Sequence, residues 1–277
     1  PVYKYHRRAS PNKVQTSEEA LRGVYAYPGS TDIGMLGDED IFRLYKRGAK
    51  HIVTCDINAE NCGAIAAQLS HVDWLGPLSD VTVELKRDDI FNIIPQYDRI
   101  HSVFFDFEKC YHPKPTALSG VEKERLDMWK IDRLIGRLVP LAHLHFTYAQ
   151  PDRVRGHGSE VWMNGHREFS QVISSKLPVE TDMIDWDALD PMASSLWFAL
   201  VAHHMFGYTT EAALSLDEKF AVPSEGFLVD GTYRDYRDKG HVPMQTTWFG
   251  LSLVDNPVQY LEESLSRMQS AFARHTP

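Results

Sequence analysis

From Val24 to Gln150 the chain alternates short β-prone apolar runs with helix-type segments, and this alternation constrains the fold more than any other feature. Parallel neighbours in a sheet cannot be joined by a tight turn and need a crossover, usually a helix. Repeated strand–helix–strand units therefore predict a mostly parallel sheet covered on both faces. The first unit is "GVYAYPGSTDIGMLGDEDIF", Gly23 to Phe42. Val24 to Tyr27 is predicted as strand one, with Tyr27, Pro28, Gly29 and Ser30 at the loop that leaves it. Asp38 is the expected cap of a helix reaching Arg47, with Gly48 as its stop. "HIVTC" reads as a buried strand ending at Asp56, and Asn58 caps the next helix, "AENCGAIAAQLS". "VTVEL" is the third strand, followed by Asp88 and Asp89, and "RIHSVFFDF" is the fourth, ending near Asp106 to Glu108. A long amphipathic helix from Val121 to Val139 then leads into "AHLHFTYAQ" as strand five.

Upstream, Thr16 and Glu19 have capping-box spacing and predict a short helix before the first strand. Downstream, Glu160 to Leu177 and Met192 to Phe206 are helical patterns, and the second is apolar enough to enter the core. Phe227 to Arg237 and Val242 to Val254 predict an antiparallel hairpin, and Pro257 opens a terminal helix reaching Arg274. There is no internal repeat and no low-complexity linker. The expectation is one domain over residues 1–277, with a basic arm at 1–15 and a helical insertion or lid at 151–225. Its predicted fold class is α/β, a Rossmann-like, mostly parallel seven-stranded sheet with helices on both faces and a C-terminal antiparallel hairpin.

Composition narrows the setting. No run approaches the roughly 18 apolar residues of a membrane span, and the first residues lack the apolar stretch of a secretory signal. The expected location is the cytoplasm, with no membrane partner. Cys55, Cys62 and Cys110 lack C-x-x-C spacing and suit buried thiols in a reducing compartment. A formal net charge of −9 disfavours broad, nonspecific duplex binding, whose affinity comes from neutralising phosphates. It leaves room for a local basic patch: Lys4, Arg7, Arg8 and Lys13 stand together without an acid.

Open α/β sheets bind ligands at the carboxyl ends of their strands. A cofactor carrying an adenosine needs three things there: backbone near its polar tail, an acid for the ribose hydroxyls and a polar group beside the adenine. Tyr27 to Ser30 after strand one, Asp56 with Ile57 after strand two, and Asp89 with Ile90 after strand three are the candidates. Asp106 ends strand four, where a reacting substrate would sit, and Glu108, Tyr111 and His112 are close in sequence. Asp106, Glu108 and Tyr111 are the candidate catalytic groups. His143 and His145 share one face of strand five but lack an acid or Cys at ligand spacing, so they read as packing residues and no metal site is predicted. "RVRGHG", Arg153 to Gly158, brings two arginines able to meet phosphate or carboxylate.

With these residues in place, Gly23 to Gln150 resembles the core of a class I S-adenosylmethionine-dependent methyltransferase, and the terminal hairpin extends the likeness. The resemblance implies S-adenosyl-L-methionine as cofactor. It puts Tyr27, Pro28, Gly29 and Ser30 beside the methionine part, Asp56 on the ribose, and Asp89 near the adenine with Ile90 or Phe91 over the ring. It matches "FFDFEKCY" to the fourth-strand motif, with Asp106 contacting the cofactor or the acceptor. The fourth-strand sequence is not Asn/Asp-Pro-Pro-Tyr, and there is no Pro-Cys pair, so no target atom follows. A dinucleotide oxidoreductase shares the strand-two acid, but G-x-G-x-x-G is missing. The expected function is methyl transfer, to a nucleic acid or nucleotide ahead of a small molecule or a protein because of the basic arm and the Arg153–Arg155 loop. The alternative is a catalytically silent cofactor-binding or scaffold protein acting through protein interactions. The oligomeric state is left open.

Overall fold

The computed structural model describes residues 21, 25–70, 80–107, 111–112, 126–127, 131–150, 159–224, 226–237 and 243–274. The strands are β1 (Thr31–Gly34), β2 (His51–Cys55), β3 (Thr82–Lys86), β4 (Ile100–Asp106), β5 (Tyr111–His112), β6 (Leu126–Asp127), β7 (Leu138–Ala149), β8 (Gly226–Arg237) and β9 (Pro243–Val254). The helices are α1 (Asp38–Lys46), α2 (Ala59–Ser70), α3 (Ile90–Ile93), α4 (Asp132–Ile135), α5 (Ser159–Ser174), α6 (Pro191–Phe206), α7 (Thr210–Ser215) and α8 (Pro257–Ala271). A seven-stranded sheet has the order β3-β2-β1-β4-β7-β9-β8. Its pairs are parallel from β3 to β7, and β9 runs antiparallel to both β7 and β8. The Rossmann-like α/β sheet with a terminal antiparallel hairpin is therefore present as expected.

Strand one is not where β-propensity puts it. The chain turns at Tyr27 to Ser30, where Gly29 has φ of +68° and Ser30 donates to the Tyr27 carbonyl from its amide (3.2 Å) and its hydroxyl (2.6 Å). Only then does Thr31–Gly34 enter the sheet, with Ile33 opposite Val53 on one side and Val103 on the other. An aspartate inside a central strand is costly unless satisfied. The pairing register of β4 is irregular between Ile100 and Ser102, and both His101 and Ser102 reach Asp32. The Ser102 hydroxyl donates to the Asp32 carboxylate, and His101 Nδ1 lies 3.1 Å from it.

Each face of the sheet has its own apolar layer. Ile33, Val53, Val103, Phe105, Leu144 and Phe146 share one cluster with Phe169 of α5 and Trp197 and Phe198 of α6. Helix α6 is apolar on nearly every side and buried throughout most of its length, as a helix without a polar face must be. Its Asp190 cap accepts from the Ala193 amide at 2.8 Å, Gly207 closes it in the left-handed region with φ of 72°, and the Trp197 indole donates to the Val229 carbonyl at 2.9 Å. The other cluster joins Leu36, Ile41, Leu44, Ala49, Ile52 and Phe104 beneath α1.

The helix expected over Val121 to Val139 is replaced, among the described residues, by β6 and the single turn α4, with β7 beginning at Leu138. Leu138 pairs with Ile100, so Leu138 and Val139 belong to the sheet rather than to a helix face. Tertiary pairing overrides the 3.6-residue apolar spacing there. The proposed helix at Thr16–Glu19, the basic arm, Cys110 and Arg153–Gly158 lie outside the described residues.

Candidate active site

The carboxyl ends of β1, β2, β3 and β4 meet along one edge of the sheet. After β1 the chain continues as Met35, Leu36 and Gly37 into α1. This connection is tied to both neighbours: the Met35 amide donates to the Phe104 carbonyl at 3.0 Å, and the Thr54 hydroxyl donates to the Leu36 carbonyl at 2.8 Å. A Cβ on Gly34 would stand 2.6 Å from Phe104 Cβ and 2.9 Å from its carbonyl oxygen, so this close approach requires glycine. Gly37 is the cap residue of α1, and its amide contacts the Asp40 carboxylate at 3.4 Å.

Asp56 follows β2 and is nearly buried, at 5% exposure. One carboxylate oxygen accepts from the Asn58 amide at 2.8 Å, and the other accepts from the Asn61 side chain at 2.9 Å. Asn58 also caps α2, as expected, with its side chain accepting from the Glu60 amide at 2.8 Å. Ile57, by contrast, is 71% exposed, an unusual exposure for an aliphatic side chain directly after a buried strand. The two described cysteines flank this turn: Cys55 Sγ donates to the Gly34 carbonyl at 3.5 Å and Cys62 Sγ to the Asp56 carbonyl at 3.4 Å. Both thiols are buried.

Asp89 caps α3, accepting from the Phe91 amide at 2.9 Å. The exposed Asp88 carboxyl is held below the usual range by the Asn92 side chain and the Asp89 amide. Ile90 and Phe91 do not lie open to a ring: both are 4% exposed and belong to the core, because the first turn of α3 faces the sheet. Ile57 is the exposed apolar residue at this edge that sequence reasoning placed there. Asp106 ends β4 opposite Thr147 and is half-buried, and the Phe107 amide donates to the Thr147 carbonyl at 2.8 Å. Phe107 stacks on Phe91 (6.1 Å between centroids, 6°) and Phe105 (5.4 Å, 21°), which gives the end of β4 a rigid aromatic floor.

The structure thus gathers Asp56, Ile57, Asp89 and Asp106 at one edge and separates Tyr27, Pro28, Gly29 and Ser30 from them. Those four precede β1 and lie at its amino end. The Thr31 amide donates to the Arg99 carbonyl at 2.9 Å, Arg99 Nη2 reaches the Pro28 carbonyl at 3.4 Å, and Ala26 pairs with Arg47 at the foot of α1. Their assignment beside a methionine tail followed from taking strand one upstream, and it falls with that strand. The glycines that do stand at the carboxyl end of β1 are Gly34 and Gly37. Their signal was legible in "TDIGMLG", a short strand with glycines at its exit, but Val-Tyr-Ala-Tyr has the stronger β-propensity. Glu108 lies outside the described residues, and of Tyr111 and His112 only the backbone is described, paired with β6.

His143 and His145 face the same side of β7, opposite Ser102 and Phe104. His143 meets His101 edge-on at 5.5 Å, and burial pushes its imidazole down to about 4. His145 packs edge-on against Phe104 and Trp248. Among the described residues, no group of three or more His, Cys, Asp or Glu is placed to hold a metal ion. Nor is any described helix long and apolar enough to cross a membrane.

The strand order, with one antiparallel strand inserted next to the edge and acids at successive parallel strand ends, decides the architecture. The fold is a Rossmann-like, methyltransferase-like α/β fold. No protein-family model and no curated protein matches the chain. Among solved structures it is similar to SMU.1697c of Streptococcus mutans, a provisionally assigned methyltransferase in complex with SAH. That match has 12% identity and a TM-score of 0.40 over 86% of this chain and 97% of the other. It is also similar to a provisionally assigned O-methyltransferase of Klebsiella pneumoniae, at 10% identity and a TM-score of 0.39 over 89% and 83% of the two chains. A third is the O-methyltransferase TomG of Streptomyces achromogenes, involved in tomaymycin synthesis and in complex with SAM. There the identity is 12% and the TM-score 0.34 over 80% and 72%.

Proposed function

We propose that the chain is an S-adenosylmethionine-dependent methyltransferase whose cofactor lies across the carboxyl ends of β1 to β4. The observation that carries this reading is the Asp56–Ile57 pair at the end of β2: a carboxylate held in place by Asn58 and Asn61, followed at once by an exposed aliphatic side chain. A vicinal diol donates to such a carboxylate, and an adenine ring rests on such an aliphatic surface. Asp89, at the next strand end, is the acceptor for an exocyclic amine. Gly34 and Gly37 carry the close backbone at the exit of β1, the role first given to Tyr27–Ser30, and favour the methionine tail next to the α1 amino end. The residues fit the group.

When bound, the cofactor supplies an electrophilic methyl on a sulfonium. The chain must hold the acceptor in line with it and, where the acceptor carries a proton, remove that proton. Asp106 is the group for this task, anchored opposite Thr147, and the stacked Phe107 holds the strand end rigid beneath the acceptor. Glu108 and Tyr111 follow on the same chain segment and are secondary candidates. The acceptor read from the basic arm and from Arg153 and Arg155 is a nucleic acid or nucleotide. Incubating the full chain with methyl-labelled S-adenosylmethionine and, separately, bulk RNA, DNA, nucleotides and small phenols tests this. Label in the nucleic acid or nucleotide fractions is expected, whereas label only in the phenols refutes the acceptor class. Binding of S-adenosylhomocysteine without transfer to any acceptor would favour the silent scaffold.

A further inference from the structure

We infer that Asn61 is a positioning residue for ribose recognition: its side-chain amide sets the plane of the Asp56 carboxylate so that the two oxygens meet a vicinal diol together. This rests on reading the crevice as an adenosine-cofactor site, and it concerns a helix residue that does not itself need to touch the cofactor. Asp56 is bracketed from both sides of the β2–α2 turn. Its backbone amide donates to the Lys86 carbonyl at 3.2 Å, which fixes the main chain against β3. The Asn58 amide holds Oδ1 at 2.8 Å, an Asx-type turn that constrains one oxygen only. A carboxylate tethered through one oxygen can still swing about its terminal torsion, which is broad for aspartate. Asn61, five residues on and in the first turns of α2, takes Oδ2 at 2.9 Å and removes that freedom.

The structure offers α2 as the rigid support for Asn61. Cys62, the next residue, is buried and donates from Sγ to the Asp56 carbonyl at 3.4 Å, so the helix is locked to the turn it serves. Ribose binding then depends on a donor at position 61 that points at the carboxylate, and that dependence gives a chemical signature. Asn61→Ala removes the donor. Asn61→Asp replaces it with a second carboxyl about one hydrogen bond from Asp56, and two carboxyls at that distance share a proton because both cannot ionise freely. With the shared proton on residue 61 the donor is restored, and with both ionised the pair repels and Asp56 turns away.

The test is calorimetric titration of the full-length chain and both variants with S-adenosylhomocysteine and with its 2′,3′-dideoxyribose analogue, between pH 5.5 and 8, with thermal unfolding as a check on folding. Asn61→Ala should weaken S-adenosylhomocysteine about tenfold and leave the dideoxy analogue unchanged, the loss expected for one hydrogen bond to a charged group. Asn61→Asp should bind with affinity close to that of the parent at pH 5.5 and lose it progressively toward pH 8, while the parent changes little over this range. Equal losses for both ligands would make Asn61 a structural residue and overturn the inference, as would a flat pH profile for Asn61→Asp. If the parent chain binds S-adenosylhomocysteine and both variants bind it equally, the inference falls alone. If the parent binds neither ligand, the cofactor reading falls with it.

Discussion

Acid destabilisation of this chain should begin near neutrality, well above the range in which carboxylates titrate, because two half-buried imidazoles, His143 and His204, resist protonation. Burial pushes His143 down to about 4 from an ordinary 6.5, with His101 adding repulsion and Asp32 partly opposing it. Burial and the neighbouring His203 push His204 down to about 3. In the unfolded chain both groups take up a proton near pH 6.5, while in the folded chain they remain neutral. The unfolded state therefore binds more protons as the pH falls, and stability is lost from about pH 6.5 downward, levelling off below the folded-state values. Linkage gives a loss of about 2 kcal/mol from each group at pH 5 relative to pH 8, and about 3 kcal/mol for His143 once fully developed. Urea unfolding followed by circular dichroism from pH 8 to pH 4.5 should show this fall with little change in slope against urea. His143→Gln should flatten the profile by about 2 kcal/mol at pH 5, whatever its effect at pH 8. A parent profile that is flat between pH 7 and pH 5, or a His143→Gln profile parallel to it, would refute the assignment of half-buried, neutral imidazoles.

Gly34→Ala should destabilise the fold by about 1–3 kcal/mol, because the new methyl overlaps Phe104 main-chain and Cβ atoms rather than a mobile side-chain end. A thermal unfolding midpoint equal to the parent's would show that β1 and β4 separate freely at the crevice. Asp32→Ala leaves the buried Ser102 hydroxyl and His101 Nδ1 without their carboxylate and should cost about 1–3 kcal/mol by the same measurement. Asp106→Ala should reduce turnover far more than S-adenosylhomocysteine affinity if the carboxylate acts on the acceptor. Equal losses would assign it to the cofactor.

Where the sequence was legible, one local pattern and the global pairing agreed. "HIVTC", "RIHSVFF" and the two hairpin strands are apolar runs with turn residues at their ends, and each entered the sheet within a residue or two of expectation. Asp56, Asp89 and Asp106 followed from them because an acid at a strand end needs only the strand to be right. Strand one was misplaced because its determinants are non-local. Asp32 and Gly34 are poor strand formers, made acceptable by Ser102 and His101 some seventy residues away and by the close approach of Phe104. The helix expected over Val121 to Val139 failed for a related reason, since Leu138 and Val139 satisfy a helical period and a strand equally until the pairing with Ile100 is known. The Asn61 bond to Asp56 had no readable signal, because an amide five residues after an acid is commonplace on a helix surface.

The central claim is that the Asp56–Ile57 edge receives an adenosine cofactor, and calorimetric titration of the full chain and of Asp56→Ala with S-adenosylhomocysteine tests it most directly. The account predicts binding in the micromolar range for the parent, no binding of NAD, and a loss of at least about tenfold in Asp56→Ala, since a charged acceptor of the ribose hydroxyls is removed. Absence of binding by the parent, or unchanged affinity in a folded Asp56→Ala variant, would contradict it.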